Sequence, residues 1–254
     1  LEITSRFNYA DNKDRSNINF NGNNLEERLV TTTNFFDSKI VYTTKPTDKK
    51  VWIIAGRFIN EVTPQNYNVN QFVYQDLFNT TANAIKQQAA NAMNFYGFEA
   101  KYLNRKANGH LFEFATGAEL RNDDLNTRFY LIANETELQP NGFENNLQFQ
   151  NHSYYTNASY SYQITSNFRM VPSAKINFIN QKVVENNSYK KFSPLLFSPA
   201  LNLNWEINTK NKLQASYSYN WQTSSLLDIY PNYIHSGFRN FSVGYNLTVH
   251  SVIG

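Results

Sequence analysis

Leu213, Ala215, Tyr217, Tyr219 and Trp221 alternate with Lys212, Gln214, Ser216, Ser218 and Asn220. A strict period of two gives an extended segment one apolar face and one polar face. The same alternation recurs along most of the chain, so the fold is read as all-β and antiparallel. What each face meets, lipid, water or protein, then decides what such a chain can do.

Ten segments carry the pattern: about 1–10, 29–45, 50–61, 92–105, 110–121, 151–165, 168–181, 194–207, 212–222 and 239–251. Most exceed the 5 to 6 residues of an average globular strand and match the 9 to 11 or so that a tilted strand needs to cross a bilayer. Pro172 and Pro199 count against two of them, because proline cannot donate to a ladder. The links between segments fall into two kinds. Residues 46–49, 106–109, 165–167 and 208–211 are tight turns rich in Asn, Asp, Lys, Gly and Pro, whereas residues 11–28, 62–91, 122–150, 182–193 and 222–238 read as longer polar connections. Short and long alternate, as the periplasmic turns and extracellular loops of an outer-membrane barrel do.

Charge placement supports the same reading. Arg57, Glu61, Glu99, Lys101, Arg105, Glu113, Glu119, Arg121, Arg169, Lys175, Glu206 and Lys212 all fall on the phase opposite the aromatic and aliphatic one. A Lys or Arg facing lipid at the bilayer midplane costs about 2 to 4 kcal/mol, so this segregation is what a lipid-facing surface requires. Arg239 shares phase with Phe241 and is expected to snorkel at a strand mouth. The outward phase includes Trp52, Ile54 and Phe58, then Tyr96, Phe98 and Tyr102, with Tyr and Trp toward strand ends where interfacial girdles lie.

Composition excludes more than it identifies. Hydrophobic residues make up 41% of the 254, with no run long enough for a spanning helix and no basic start or cleavage site at residues 1–20. The chain reads as one domain over residues 1–254, and as a mature form or a fragment. It has no cysteine, hence no disulfide framework or thiolate metal site. A net charge of +3 with basic residues adjoining only in pairs leaves no footprint for nucleic acid. Thirty-nine asparagines, 20 Phe and 17 Tyr fit turns and wet surfaces beside strands and membrane interfaces. Residues 79–92 are the one helical candidate, expected as a short loop helix.

The segment ASYSYNWQTSSLLDIYPNYIHSGFRNFSVGY, residues 215–245, resembles the barrel of TonB-dependent outer-membrane receptors of Bacteroidota, in which an Ile-Tyr-Pro-x-Tyr-Ile loop precedes an Arg-bearing strand. SPALNLNWEINTKNKLQASYSY, residues 198–219, is similar to the strand, Asn/Lys turn, strand unit of the same family. The resemblance implies a 22-stranded transmembrane barrel, an N-terminal plug domain, a TonB-box segment and uptake of a nutrient such as a glycan, peptide or metal chelate. Its implied partners are outer-membrane lipid, the nutrient, and TonB or a surface lipoprotein through parts of the protein outside this chain. With about ten strands, no plug-like stretch and no terminal aromatic, the chain is expected to be a section of that barrel. A complete ten-stranded barrel stays open as an alternative.

Catalytic motifs are lacking: no HExxH, P-loop, GxSxG or dinucleotide fingerprint occurs, and His110, His152, His235 and His250 lie far apart in sequence. No cofactor or metal is therefore expected. Asp123 and Asp124 with His110 or His152 imitate a protease's acid and base groups, yet an acidic, solvated loop explains them more simply. Tyr67, Phe72, Tyr74, Tyr230, Tyr233 and His235 are the candidate ligand contacts, since all lie in long links and an exposed ring can stack on a sugar or close over a chelate. Loop self-packing is the competing role for each. Two other functions remain: a structural or secretion-associated barrel that binds another envelope protein, and a soluble carbohydrate-binding β-sandwich.

Overall fold

Alternating residues become strands throughout the computed structural model, which describes residues 1–20, 22–70, 78, 82–185, 188–223, 229–237, 240–242 and 249–253. In chain order the strands are β1 (Glu2–Phe20), β2 (Asn23–Thr47), β3 (Lys50–Asn70), β4 (Ala84–Arg105), β5 (Leu111–Ala133), β6 (Thr136–Leu138) and β7 (Asn145–Thr165). There follow β8 (Phe168–Glu185), β9 (Ser188–Phe192), β10 (Leu195–Glu206), β11 (Lys212–Thr223), β12 (Ile234–Gly237), β13 (Asn240–Ser242) and β14 (Val249–Ile253). Twelve of these form one antiparallel sheet in the order β1-β2-β3-β4-β5-β7-β8-β10-β11-β14, with β6 beside β5 and β9 beside β8; β12 and β13 pair with each other. Sequence neighbours are sheet neighbours, so the wall is an up-and-down meander. Among the described residues its two edges, β1 and β14, are not paired to one another.

The strands run much further than the hydrophobic alternation. β2 has 25 residues, about 80 Å of extended chain and more than twice a bilayer crossing. Residues 11–28, read from sequence as a long link, are the far half of a hairpin whose ladder continues from Glu2 opposite Val41 to Phe20 opposite Asn23. It closes at Gly22, whose φ of 79° suits glycine. Residues 62–70, 84–91, 122–133 and 145–150 are likewise strand, so the alternation of short and long links fails at this end. The cause is visible in β1, where Asp11, Lys13 and Arg15 alternate with Asn12, Asp14 and Ser16: both faces are polar, and no period of two in hydrophobicity marks an extended backbone.

The helix expected over 79–92 is also corrected, since β4 begins at Ala84. Its Ala, Gln and Lys residues favour a helix locally, but Ile85 and Gln87 are buried on one face with a period of two, and sheet pairing on both sides overrides propensity. The prolines do not break their strands. Pro199 pairs toward β8 opposite Ala174 while the β10–β11 ladder begins only at Ala200, and the β7–β8 ladder skips Pro172 without a change of register. Pro64 repeats this, opposite Ala90 on β4 and skipped on the β2 side. Each proline leaves a gap in one ladder only, which an otherwise paired strand tolerates. Of the segment 239–251, the described parts are β13 and β14; Arg239 lies outside the described residues.

Each long strand exchanges its apolar face at one height. On β5 the phase Phe112, Phe114, Ala118, Leu120 continues as Asn122, Asp124, Asn126 and Arg128, while the opposite phase Glu113, Gly117, Glu119, Arg121 becomes Leu125, Thr127, Phe129 and Leu131. On β7, Tyr154, Tyr160, Tyr162 and Ile164 share a phase with Asn146, Gln148, Gln150 and His152, and Ser153, Tyr155 and Asn157 share one with Leu147 and Phe149. β4 and β8 repeat the exchange. The face carrying Phe98, Tyr154 and Ile176 is here the outer face. In the short-turn half its aromatic and aliphatic groups stay exposed, Phe98 by 54% and Leu195 by 70%. A line of Asn60, Asn94, Asn122, His152 and Asn180 caps this band, straight along the ladders except for a two-residue step from Asn122 on β5 to His152 on β7. Asn60 Nδ2 donates to Asn94 Oδ1 at 2.9 Å, and His152 Nε2 lies 3.2 Å from Asn122 Oδ1.

Beyond that line the core lies on the inner face. Leu25, Val69, Ala82, Ile85, Phe129 and Leu131 form one buried cluster, and Leu125, Leu147, Phe149, Val183, Ile229 and Tyr230 a second. The wall therefore obeys soluble-protein logic at the long-link end, apolar in and polar out, and the reverse at the short-turn end.

Candidate functional site

The inner face at the short-turn half is a lattice of paired charges. Arg57 on β3 grips Asp37 on β2 through two bonds of 2.9 and 2.8 Å, and Lys101 on β4 lies 3.0 Å from Glu113 on β5. Tyr155 on β7 reaches across β5 to donate to Glu99 Oε2 on β4 at 2.7 Å, and the Lys175 ammonium sits 4.6 Å from the Tyr155 ring centroid. The reach is possible because Glu99, Gly117 and Tyr155 stand in one row, and the middle residue has no side chain. Beside this row Glu119, Ser153, Lys175, Asn177, Asn220 and Trp221 line a concavity of about 230 Å³. Such a surface offers donors and acceptors of both signs to a polar solute, with Arg57, Asp37, Lys101, Glu113 and Glu99 each held by a partner on another strand.

Where the inner face turns apolar, Arg121 donates to both oxygens of Asp123, at 2.7 and 2.9 Å, and the Asp123 side chain is fully buried. Asp123 is thus a strand residue in a structural ion pair, which corrects its reading as part of a solvated loop. His110 bonds Tyr160 at 2.8 Å and His152 bonds Asn122, so the histidines and the acids Asp123 and Asp124 do not assemble an acid and base pair. Among the described residues no group of acids and histidines is placed to hold a metal. At the short turns, Glu206 pairs with Lys212, whose hydrogen bond and positive charge hold the carboxyl below its ordinary value.

The six loop aromatics separate. Tyr67 belongs to β3, packs against the first core cluster and donates to Glu27 Oε1 at 2.5 Å, so it is a wall residue. Tyr230 is 8% exposed within the second cluster, which corrects its reading as an exposed loop ring. Tyr233 is 49% exposed, with its ring centroid 5.5 Å from that of Phe143. Phe72 and Tyr74 lie outside the described residues; the backbone of His235 pairs with Phe241 in the β12–β13 ladder, and its side chain is outside the described set.

Residues 229–234 are folded down onto the inner face and latched there by Asn145, a residue sequence reasoning passed over. Asn145 is buried, accepts from the Asn232 amide at 3.1 Å, donates to Thr127 Oγ1 at 2.8 Å, and contacts the Asn232 carbonyl at 3.4 Å. Asn232 donates in turn to the Glu144 carbonyl, and the Tyr233 amide to that of Gly142. Phe143 was also missed; the signal was the Asn141-Gly142 pair before it, with Gly142 at φ 83° aiming Phe143 at Phe129 and Phe78. Asn145→Ala is expected to cost about 1 to 2 kcal/mol, because the Asn232 amide loses its acceptor, and to open residues 229–234 to protease. Unchanged cleavage of that segment by limited proteolysis would refute the latch.

Wall and latch together define the fold as an antiparallel β-barrel wall with a segment folded onto its inner face. The crystal structure of the unliganded ferric citrate transporter FecA has a similar fold, with a TM-score of 0.54 at 14% identity over 77% of this chain and 28% of FecA. The outer-membrane receptor for alcaligin, FauA of Bordetella pertussis, aligns at 12% identity over 87% of this chain and 43% of its own, with a TM-score of 0.37. FpvAI in complex with pyocin S2 aligns at 8% identity over 81% and 38%, with a TM-score of 0.45. The chain thus spans under a third of the length of FecA. No protein-family profile matches the sequence, and no curated protein does. The likeness to FecA establishes the fold alone, a section of an antiparallel barrel wall.

Proposed function

We propose that this chain is the outer-membrane barrel wall of a TonB-dependent receptor of the Bacteroidota type, which takes up a nutrient such as a glycan, peptide or metal chelate. The observation that carries the reading is the exchange of faces. An outer apolar band of about 11 residues, 154–164 on β7 and 168–178 on β8, matches one tilted bilayer crossing, and the wall becomes polar outside as soon as the band ends. Long links then face the cell exterior, short turns face the periplasm, and the paired-charge lattice faces the lumen. Solute arriving from outside meets the Tyr233–Phe143 pair at the mouth; Phe72, Tyr74 and His235 are proposed as further contacts there. A soluble sandwich is disfavoured, because it needs a second sheet against the aromatic face and none lies there among the described residues.

Two measurements test this on the full-length protein. In vesicles, bromine-labelled lipids should quench single-tryptophan variants retaining Trp52 or Trp205, most strongly with bromine near the head groups; solubility without detergent and no quenching would sink the membrane reading. Deleting the gene should abolish uptake of one member of a panel of labelled glycans, peptides and ferric chelates, and loss of TonB should do the same. Uptake that survives without TonB would leave the structural or secretion-associated barrel as the better reading.

A further inference from the structure

Just beyond the outer band, Lys182 on β8 stands directly opposite Lys191 on β9, both on the outer face. Like charges in register on one face destabilise a strand pair, and acids or anions between them relieve the repulsion. Neither lysine has a carboxylate partner among the described residues, and Glu185 falls on the opposite phase. Tyr189, 67% exposed, stacks beside Lys182 with the ammonium 5.3 Å from its ring centroid, so the charge is held at the wall. Lys191 is exposed.

Their height is informative. Phe178 opposite Leu195 is the last apolar row, Asn180 accepts from Ser193 at 3.1 Å in the next, and the lysines occupy the row after that. Four residues along a strand tilted near 45° raise Lys182 about 9 Å above Phe178. The head-group layer extends about 5 to 8 Å beyond the hydrocarbon, so a lysine leaning back along the wall places its ammonium at phosphate level.

We propose that Lys182 and Lys191 together bind the phosphate of an anionic lipid head group in the leaflet at the long-link end. The site deepens the membrane reading above and rests on it. Two ammonium groups on one side of a phosphate turn a repulsive pair into a bridged one, and juxtamembrane lysines are known to favour anionic lipid.

The full-length protein, wild type and Lys182→Gln/Lys191→Gln, is reconstituted in phosphatidylcholine with and without phosphatidic acid, and retained lipid is measured by native mass spectrometry after extraction. Wild type should enrich phosphatidic acid over phosphatidylcholine about ten-fold more than the double variant. Lys190→Gln, on the opposite face of the same strand, should leave the enrichment unchanged. Equal enrichment by wild type and double variant, or an equal loss in Lys190→Gln, overturns the site while insertion into both lipids leaves the membrane reading intact. Failure to insert into either overturns both. Inorganic phosphate binding the detergent-solubilised protein as tightly as the lipid does would overturn the lipid as the source of the phosphate.

Discussion

Gly117→Val is expected to destabilise the wall by about 3 to 5 kcal/mol, although strand propensity alone predicts the opposite sign. A Cβ on Gly117 would stand 2.5 Å from the Phe98 carbonyl oxygen and 2.7 Å from the phenol end of Tyr155. Neither neighbour yields cheaply. The carbonyl belongs to a strand paired on both sides, and Tyr155 is tied to Glu99 at 2.7 Å with Lys175 over its ring. Overpacking costs about 1 to 3 kcal/mol and a lost hydroxyl–carboxylate bond about 1.5 to 3, a sum whose middle is the stated range. Denaturant unfolding of the full-length protein in vesicles reads it directly. Adding Gly117→Val to a Tyr155→Ala background should cost less than it does alone, because the displaced ring is already gone. A wild-type midpoint in the single variant would show that Tyr155 moves aside without penalty.

Gly117 also shows how much of this structure could be read from sequence. The short-turn half of the wall was legible: the charges Glu99, Lys101, Glu113 and Glu119 fell on the phase opposite Phe98, Phe112 and Phe114, and the sheet places them on the opposite face. Strand order followed from the tight turns read at 46–49 and 165–167, which the structure narrows to 48–49 and 166–167. That Gly117 stands between Glu99 and Tyr155 was not legible, since register between strands is set by ladders that no single strand's pattern encodes. The far half failed for a different reason. Around residues 11–17 both phases are polar, and in 84–92 helix formers sit in a strand, so periodicity carries no signal where pairing alone holds the backbone. Aromatics expected on loops were then misplaced with it: Tyr67 inside β3, and Tyr230 beneath the latch that Asn145 makes.

The exchange of faces predicts an interaction between depth and side that no single-solvent fold would give. Ala174 lies within the outer band, opposite Ala158 and Pro199, so arginine there removes little packing and tests the solvent alone. Ala174→Arg is expected to cost about 2 to 4 kcal/mol, the price of a cation facing hydrocarbon. Asn126→Arg is on the same face above the band and exposed, and should lie within about 0.5 kcal/mol of wild type. On the inner face the order reverses. Ser159→Lys at band height stands opposite Glu113 in the hydrated charge lattice and should be mild, while Leu147→Lys, 1% exposed in the upper core, should be at least as costly as Ala174→Arg. Unfolding of the four variants in vesicles measures the pattern. In a soluble protein one face would be sensitive at every height, and equal effects of Ala174→Arg and Asn126→Arg would reveal it. A crossed pattern arises only if the solvent outside the wall changes from hydrocarbon to water at the line of Asn60, Asn94, Asn122, His152 and Asn180.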